Sequence, residues 1–170
     1  MLNSGGKGEK MRRLRIYQAA GWFDEEQRKQ YEEVYSVLRE IEEGGLIDLF
    51  APQYDGIVLK PEEFKNKKKM QTVFWLDVEM LKRADILTVN TINKDTGSIV
   101  EAGMGIALGK KIICYNSTPE HGLNVMLSAP AAAFVKNKED LLAAVLSGVK
   151  AYEAGKLEGW QFNLFEGIPI

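Results

Sequence analysis

The sequence predicts an α/β protein built on a doubly wound, flavodoxin-like sheet of five parallel strands flanked by helices. Two observations support this. Short apolar runs alternate with longer segments of helical character along the chain. No internal repeat divides the 170 residues, a length at which one domain buries about 70% of the surface of its unfolded chain. Strands separated by helices imply right-handed crossovers, and these give a parallel sheet covered on both faces.

Each element follows from the local pattern. The predicted strands are short apolar runs at 14–19, 46–51, 85–90, 111–116 and 132–136. The predicted helices occupy the intervening segments 24–42, 62–83, 97–109 and 138–154, and a short element lies near Asn124. Open parallel sheets bind ligands at the carboxyl ends of their strands, so we expect the site in the loops that follow the first four strands.

The two ends of the chain differ in character. Residues 1–12 combine glycine and charge with almost no apolar periodicity, which predicts a disordered lead-in before a single domain at 13–170. The tail from Gly155 to Ile170 carries Trp160, Phe162 and Leu164, so it is too apolar to hang free in water. We expect it to dock on its own domain or on a neighbouring subunit.

Composition excludes several classes of function. No apolar run approaches the length of a membrane helix, and the N-terminus lacks the apolar core of a signal peptide. The only cysteine, Cys114, lies in a strand pattern and is predicted to be a core residue in a reducing compartment, which favours a cytoplasmic protein. A net charge of −2 argues against a nucleic-acid partner, and the basic run 65–69 is predicted to be a solvated helix face.

The segment from Asp95 to Gly105 follows the third strand and is the most informative stretch of the chain. In a helix over 97–109, Glu101 shares an i, i+4 row with three glycines, Gly97, Gly105 and Gly109, which leaves room for a ligand against its carboxylate. Ser98 and Glu101 also fit a capping box, in which the glutamate only satisfies a backbone amide. The pattern alone leaves both interpretations open.

A further carboxylate, Asp77, is the one acid in the apolar stripe of the helix before the third strand. Burial there would raise its pKa toward use as a proton donor, although buried acids often only satisfy backbone donors. Asp77, Asp95 and Glu101 could therefore converge at one cleft. The only histidine, His121, lies in a polar loop, so a catalytic triad and a metal site are poor fits.

No cofactor is predicted, because the loop after the first strand has neither a dinucleotide-binding nor a phosphate-loop motif. Carboxylates that act without metal or cofactor suit glycosyl chemistry, in which one acid attacks an anomeric carbon and another protonates the leaving group.

Four segments in register resemble the nucleoside 2-deoxyribosyltransferases, in particular the type that accepts purines and pyrimidines. The resemblance runs from about Leu14 to Ile170. Its motifs are Ile16-Tyr17-Gln18-Ala19-Ala20-Gly21-Trp22-Phe23, Asp95-x-Gly97-x-x-x-Glu101-x-Gly103, Asn124-Val125-Met126 and Phe162-Asn163-Leu164-Phe165-Glu166-Gly167.

The resemblance implies transfer of 2-deoxyribose between nucleobases through a covalent intermediate. Glu101 aligns with the family nucleophile, and Tyr17 with the tyrosine that orients it. Asp77 and Asp95 align with the pair that recognises the base and delivers a proton to it.

The resemblance also implies substrate contacts by residues outside this catalytic set. Gly21, Trp22, Phe23 and Gly97 are expected to line the site, with Met126 at its edge. Asn124 and the terminal carboxylate, here on Ile170, would come from a neighbouring subunit of a homo-oligomer, by family resemblance a hexamer. Relatives often end in an aromatic residue, whereas this chain ends in Pro169 and Ile170.

Two competing functions follow from the same residues. The first is a deoxynucleotide N-hydrolase, which would share the nucleophile but pass the sugar to water. It needs a cationic or serine-rich site for a 5′-phosphate, and the first loop offers Ala19, Ala20 and Gly21 instead. The second is a non-catalytic nucleotide-sensing domain, which would have no need of Glu101 with its two neighbouring acids.

Overall fold

Five strands form one parallel sheet in the order β2-β1-β3-β4-β5, as the sequence predicts. They are β1 (Leu14–Ala19), β2 (Ile47–Phe50), β3 (Ile86–Asn90), β4 (Lys111–Tyr115) and β5 (Ala133–Val135). The helices are α1 (Glu25–Glu43), α2 (Pro52–Asp55), α3 (Lys67–Arg83), α4 (Thr96–Ala107), α5 (Val125–Ser128) and α6 (Lys138–Glu153). This computed structural model describes residues 12–92, 95–118 and 124–163.

The sheet separates two apolar layers. Alternate residues of its strands face α1 and α6 on one side, where Ile16 and Ile86 are buried, and α3 and α4 on the other, where Tyr17 and Leu87 are buried. The order of the strands reverses between β1 and β3, so the loops that follow these two strands border one crevice. The acids singled out from the sequence lie on the α3–α4 side of this crevice.

Two helix boundaries differ from the prediction, and one short helix was not predicted. The helix expected over 62–83 begins only at Lys67, where Asn66 caps it by accepting from the Lys69 amide, and a separate 3₁₀ turn spans Pro61–Lys65. A short helix, α2, follows β2 and was not predicted. Helix α4 ends at Ala107, so Gly109 lies beyond it with a positive φ of 71°. The basic run 65–69 is exposed, as predicted.

Both ends of the described chain are attached to the domain. Arg12 forms a bidentate hydrogen bond to Asp85 at 2.7 and 2.8 Å, so a residue that the sequence assigned to the lead-in is attached to the domain. Asn163 bonds both backbone groups of Phe134 at 2.9 Å, and Trp160 is buried against α6. The tail therefore docks on its own domain as far as residue 163. The rest of the lead-in and residues 164–170 lie outside the described residues.

Cys114 is fully buried, and burial raises the pKa of its thiol to about 12, as expected of a core residue. Within the described ranges, no helix has the length and apolar character needed to cross a membrane.

Gly105 lets α4 pack closely against the sheet, and this makes a test of the fold. A Cβ atom at Gly105 would lie 2.6 Å from Leu87 Cδ2 and 3.4 Å from Ile112 Cδ1, both in the core. We expect Gly105→Ala to lower the free energy of unfolding by about 1 to 3 kcal/mol, measured by urea denaturation. Gly103→Ala is the control, because a Cβ there meets nothing within 4 Å; it should gain up to about 1 kcal/mol from helix propensity. Equal effects of the two changes would contradict this account.

Candidate active site

The carboxylate of Glu101 meets the hydroxyl of Tyr17 beneath the crevice. Tyr17 is fully buried in β1 on the side of the sheet that α4 covers, so its side chain points toward that helix. Its hydroxyl donates a hydrogen bond of 2.6 Å to Glu101 Oε1. The sequence places these residues 84 positions apart, and the parallel pairing of β1 with β3 brings them together.

Asp95 caps the N-terminus of α4, which decides between the two interpretations of this segment. Its Oδ2 accepts from both the backbone amide and the hydroxyl of Ser98, each at 2.8 Å. The helix starts at Thr96, so Ser98 lies inside its first turn and is not the N-cap. Since Asp95 supplies the cap and Tyr17 binds Glu101, the capping-box interpretation of Glu101 is wrong.

A cavity of about 230 Å³ lies between α3 and α4 and contains two of the acids. Its walls are mainly apolar, and its lining residues are Phe74, Asp77, Val78, Leu81, Thr96, Gly97, Val100, Glu101 and Met104. Asp77 Oδ1 is buried and has no hydrogen-bond partner among the described residues. Buried polar atoms without a partner are rare in native proteins, so this oxygen is a candidate for a contact with substrate.

Burial shifts the ionisation of both acids. Desolvation raises the pKa of Asp77 to about 6. For Glu101, desolvation is the largest cause and the negative charges of Asp77 and Asp95 add to it, while the Tyr17 hydrogen bond acts in the opposite direction; the result is a pKa of about 7. Tyr17 itself stays protonated, since burial and the charge of Glu101 raise its pKa. The site therefore holds acids whose charge changes near neutral pH.

The glycine row around Glu101 has two different uses. Gly97 lines the cavity one turn before Glu101. Gly105 instead lies against Leu87 in the core, and Gly109 lies beyond the helix. Of the three glycines in the predicted row, only Gly97 lines the cavity beside Glu101.

The loop after β1 borders the crevice but does not line the cavity. Gly21 is buried, and a Cβ there would lie 3.0 Å from Asp95 Cβ. Trp22 packs edge-on against Tyr31, with ring centroids 4.7 Å apart, and Phe23 is 75% exposed. The loop thus lies close to the N-cap of α4. Of its two aromatic side chains, Trp22 is packed and Phe23 is exposed.

The remaining predicted contacts lie apart from the cavity. Asn124 caps α5, where its side chain accepts from the Met126 amide at 2.9 Å, and Met126 is 76% exposed. Neither lines the cavity of its own chain. Ile170 and His121 lie outside the described residues. Where the structure describes the chain, no group of three or more His, Cys, Asp and Glu residues is arranged to hold a metal ion.

Sequence reasoning missed Gln27, a buried residue of α1 whose Oε1 accepts from the Phe23 amide at 2.9 Å. The available signal was the pattern Asp24-x-x-Gln27, which is a capping sequence at the start of α1. The contact of Trp22 with Tyr31 and Tyr54 was also missed, because it joins three separate elements and has no local pattern.

Comparisons with known proteins agree with this geometry. The family model of nucleoside 2-deoxyribosyltransferases matches residues 16–155. A solved 2-deoxyribosyltransferase from the psychrotolerant bacterium Bacillus psychrosaccharolyticus is 27% identical with a TM-score of 0.64, over 76% of this chain and 90% of that chain. No curated protein matched the sequence.

Two further structures share the fold at lower identity. A conserved protein from Enterococcus faecalis V583 has a TM-score of 0.62 at 18% identity, over 82% of this chain and 99% of that chain. A CMP N-glycosidase from Clostridium botulinum has a TM-score of 0.50 at 17% identity, over 77% of this chain and 97% of that chain. Since the family model matches residues 16–155, most of the chain, the chain belongs to the nucleoside 2-deoxyribosyltransferase family.

Proposed function

We propose that this protein transfers 2-deoxyribose between purine or pyrimidine bases through a covalent intermediate on Glu101, as an enzyme of nucleoside salvage. The observation that carries the proposal is the buried pair of Glu101 and Tyr17 beside a cavity that also contains Asp77. Family membership supports a glycosyl-transfer activity of the nucleoside 2-deoxyribosyltransferase kind.

In the first half of the reaction, a carboxylate oxygen of Glu101 attacks C1′ of the deoxyribonucleoside. The bond from C1′ to the base nitrogen breaks, its electron pair stays on the base, and a carboxyl proton passes to that base. Tyr17 holds Oε1, so Oε2 is the candidate nucleophile. In the second half, a nitrogen of another base attacks C1′ and the ester bond breaks, which restores the Glu101 carboxylate. The proton that the incoming base loses returns to the acid that protonated the first base. Two inversions give net retention.

The two aspartates differ in their contacts, and this difference supports one assignment of the proton donor. Asp95 is engaged in capping α4, where one oxygen accepts two hydrogen bonds from Ser98. Asp77 has a buried oxygen without a partner in the described structure, and burial brings its pKa to about 6. A proton donor works best when its pKa is near the operating pH, so we assign proton delivery to Asp77 and base recognition to Asp95.

The test is to incubate the protein with one deoxyribonucleoside and a different free base, without any added cofactor. A new deoxyribonucleoside supports transfer. Free deoxyribose without a new nucleoside would contradict transfer and favour the hydrolase. No reaction of either kind, together with retained nucleoside binding, would favour a sensing domain.

We also propose that a neighbouring subunit completes each site in a homo-oligomer, a hexamer by family resemblance. Met126 and Asn124 are exposed on α5 and lie apart from the cavity of their own chain. Helix α3 leaves Phe74, at the cavity, 46% exposed and its neighbour Trp75 61% exposed, an apolar surface that a partner would cover. In the proposed assembly, Asn124 and the Ile170 carboxylate of one chain bind the sugar hydroxyls in the site of the next.

A C-terminal extension tests the shared site, because it moves the terminal charge away from Ile170. We expect a C-terminal tag, or deletion of residues 168–170, to raise KM for the nucleoside and lower kcat while the protein stays folded, measured by steady-state kinetics and circular dichroism. The same tag at the N-terminus is the control and should be harmless. Light scattering of the untagged protein should give an assembly; a fully active monomer would contradict the proposal.

A further inference from the structure

The loop after β1 is tied to α1 by a hydrogen bond that reaches further than a capping box requires. Asp24 caps α1 and accepts from the Gln27 amide at 2.7 Å. In a capping box, the residue in the position of Gln27 bonds back to the amide of the N-cap itself. Here Gln27 Oε1 instead accepts from Phe23, one residue earlier, at 2.9 Å. Gln27 is only 6% exposed, so this bond holds the loop from its buried side.

The same oxygen lies beside the N-cap of α4. The point that a Gly21 Cβ would occupy is 2.7 Å from Gln27 Oε1 and 3.0 Å from Asp95 Cβ. Gly21 therefore lies between the two side chains, with no room for a larger residue while both keep their positions. A shift of the loop at Phe23 would therefore move Gly21 relative to both Gln27 and Asp95.

Asp95 in turn is the first fixed point of the helix that carries Glu101. Its Oδ2 accepts from Ser98 N and Oγ at 2.8 Å, and its charge acts on Glu101. Gln27 and Asp95 thus both lie close to Gly21, where a side chain would meet each of them. We propose that Gln27 is a positioning residue, which holds the loop after β1 against α4 and so fixes the place of Asp95 in the site.

The inference rests on the proposed function for its kinetic consequence, since Asp95 is there assigned to base recognition. Loss of the Gln27 oxygen should therefore raise KM for the accepting nucleobase more than it lowers kcat. Misplacement of a site group by a distant change costs up to about a hundredfold in rate, so we expect an increase in KM of about tenfold.

Gln27→Met tests this directly. Methionine keeps the length and volume of the side chain, but its sulfur is only a weak acceptor for the Phe23 amide. Gln30→Met is the matched control. Gln30 is also buried on the same helix, but its amide faces Asn116 and Thr118 beyond β4. Both changes should lower the melting temperature, whereas only Gln27→Met should raise the KM for the base.

A second readout does not depend on catalysis. In ¹H–¹⁵N spectra, Gln27→Met should move the amide signals of both Phe23 and Ser98, because the first loses its acceptor and the second is bonded to Asp95. Gln27→Glu keeps an acceptor of the same reach and should restore protection of the Phe23 amide from exchange. Gln30→Met should leave the Phe23 and Ser98 signals in place. If Gln27→Met does not fold, Gln27→Asn withdraws the oxygen by one methylene and takes its place in the test.

An unchanged Ser98 signal in Gln27→Met, or an equal change in Gln30→Met, would overturn the positioning role. A wild-type protein without transfer activity would instead overturn the proposed function, and the amide signals would still decide whether Gln27 positions Asp95.

Discussion

Glu101→Gln is expected to lower transfer by several orders of magnitude while the protein stays folded. The amide keeps the size of the side chain and can still accept from the Tyr17 hydroxyl at the position of Oε1. It lacks the carboxylate that would attack C1′, and removal of a covalent nucleophile typically has effects of this size. The measurement is the initial rate of formation of the new nucleoside.

The same change should make the protein more stable at alkaline pH. Burial raises the pKa of Glu101 from 4.5 to about 7, so between these values the folded protein holds a proton that the unfolded chain has released. Stability therefore falls as pH rises through this window, and an uncharged glutamine removes the loss. We expect Glu101→Gln to gain about 1 to 3 kcal/mol over wild type at pH 8 and close to nothing at pH 4.

Two controls make the result specific. Glu40→Gln removes a glutamate from an exposed position on α1 and should change neither transfer nor the pH dependence of stability. Mass spectrometry of wild-type enzyme quenched during turnover should give a deoxyribosyl adduct on the peptide that contains Glu101. Full activity in Glu101→Gln would contradict the covalent mechanism. If the wild type binds nucleoside without reacting and Glu101→Gln binds it equally well, the results would instead favour the sensing domain.

The fold was predictable because the apolar runs and helical patterns that specify its elements are local in sequence. Each strand is an apolar run long enough to be recognised, and the alternation with helices determines a parallel sheet. The errors arose where a few residues decide the structure. The four-residue helix α2 is too short for periodicity, and the start of α3 depends on the Asn66 cap, which the helical spacing of its apolar residues does not locate.

The site was only partly predictable, for a physical reason. The segment from Asp95 to Glu101 contains two possible N-caps, and only the backbone conformation decides between Asp95 and Ser98. That Gly105 packs on Leu87 depends on where α4 crosses the sheet, and the bond from Gln27 to Phe23 depends on the path of a loop. The Gly105–Leu87 contact joins a helix and a strand and leaves no periodic pattern. The Gln27–Phe23 bond is local, but the capping sequence Asp24-x-x-Gln27 does not show which amide Gln27 binds.

Asp77→Asn is expected to separate the roles of the two aspartates. Asparagine keeps the shape of Asp77 but cannot deliver a proton, so nucleosides with poor leaving groups should lose about 10²- to 10⁴-fold in kcat/KM, and activated ones much less. The change also removes one of the charges that raise the pKa of Glu101. Since Glu101 reacts as a carboxylate, activity falls as pH drops through its pKa, and the acid limb of the pH profile should move from about pH 7 to lower pH.

Asp95→Asn is the comparison for this prediction. It should move the acid limb in the same direction, because the charge of Asp95 also raises the pKa of Glu101. Asparagine is a good N-cap, so α4 should keep its start. If Asp95 serves base recognition, its loss should affect good and poor leaving groups alike. A leaving-group dependence in Asp95→Asn would assign proton delivery to Asp95, and equal losses for both substrate kinds in Asp77→Asn would make Asp77 a positioning group.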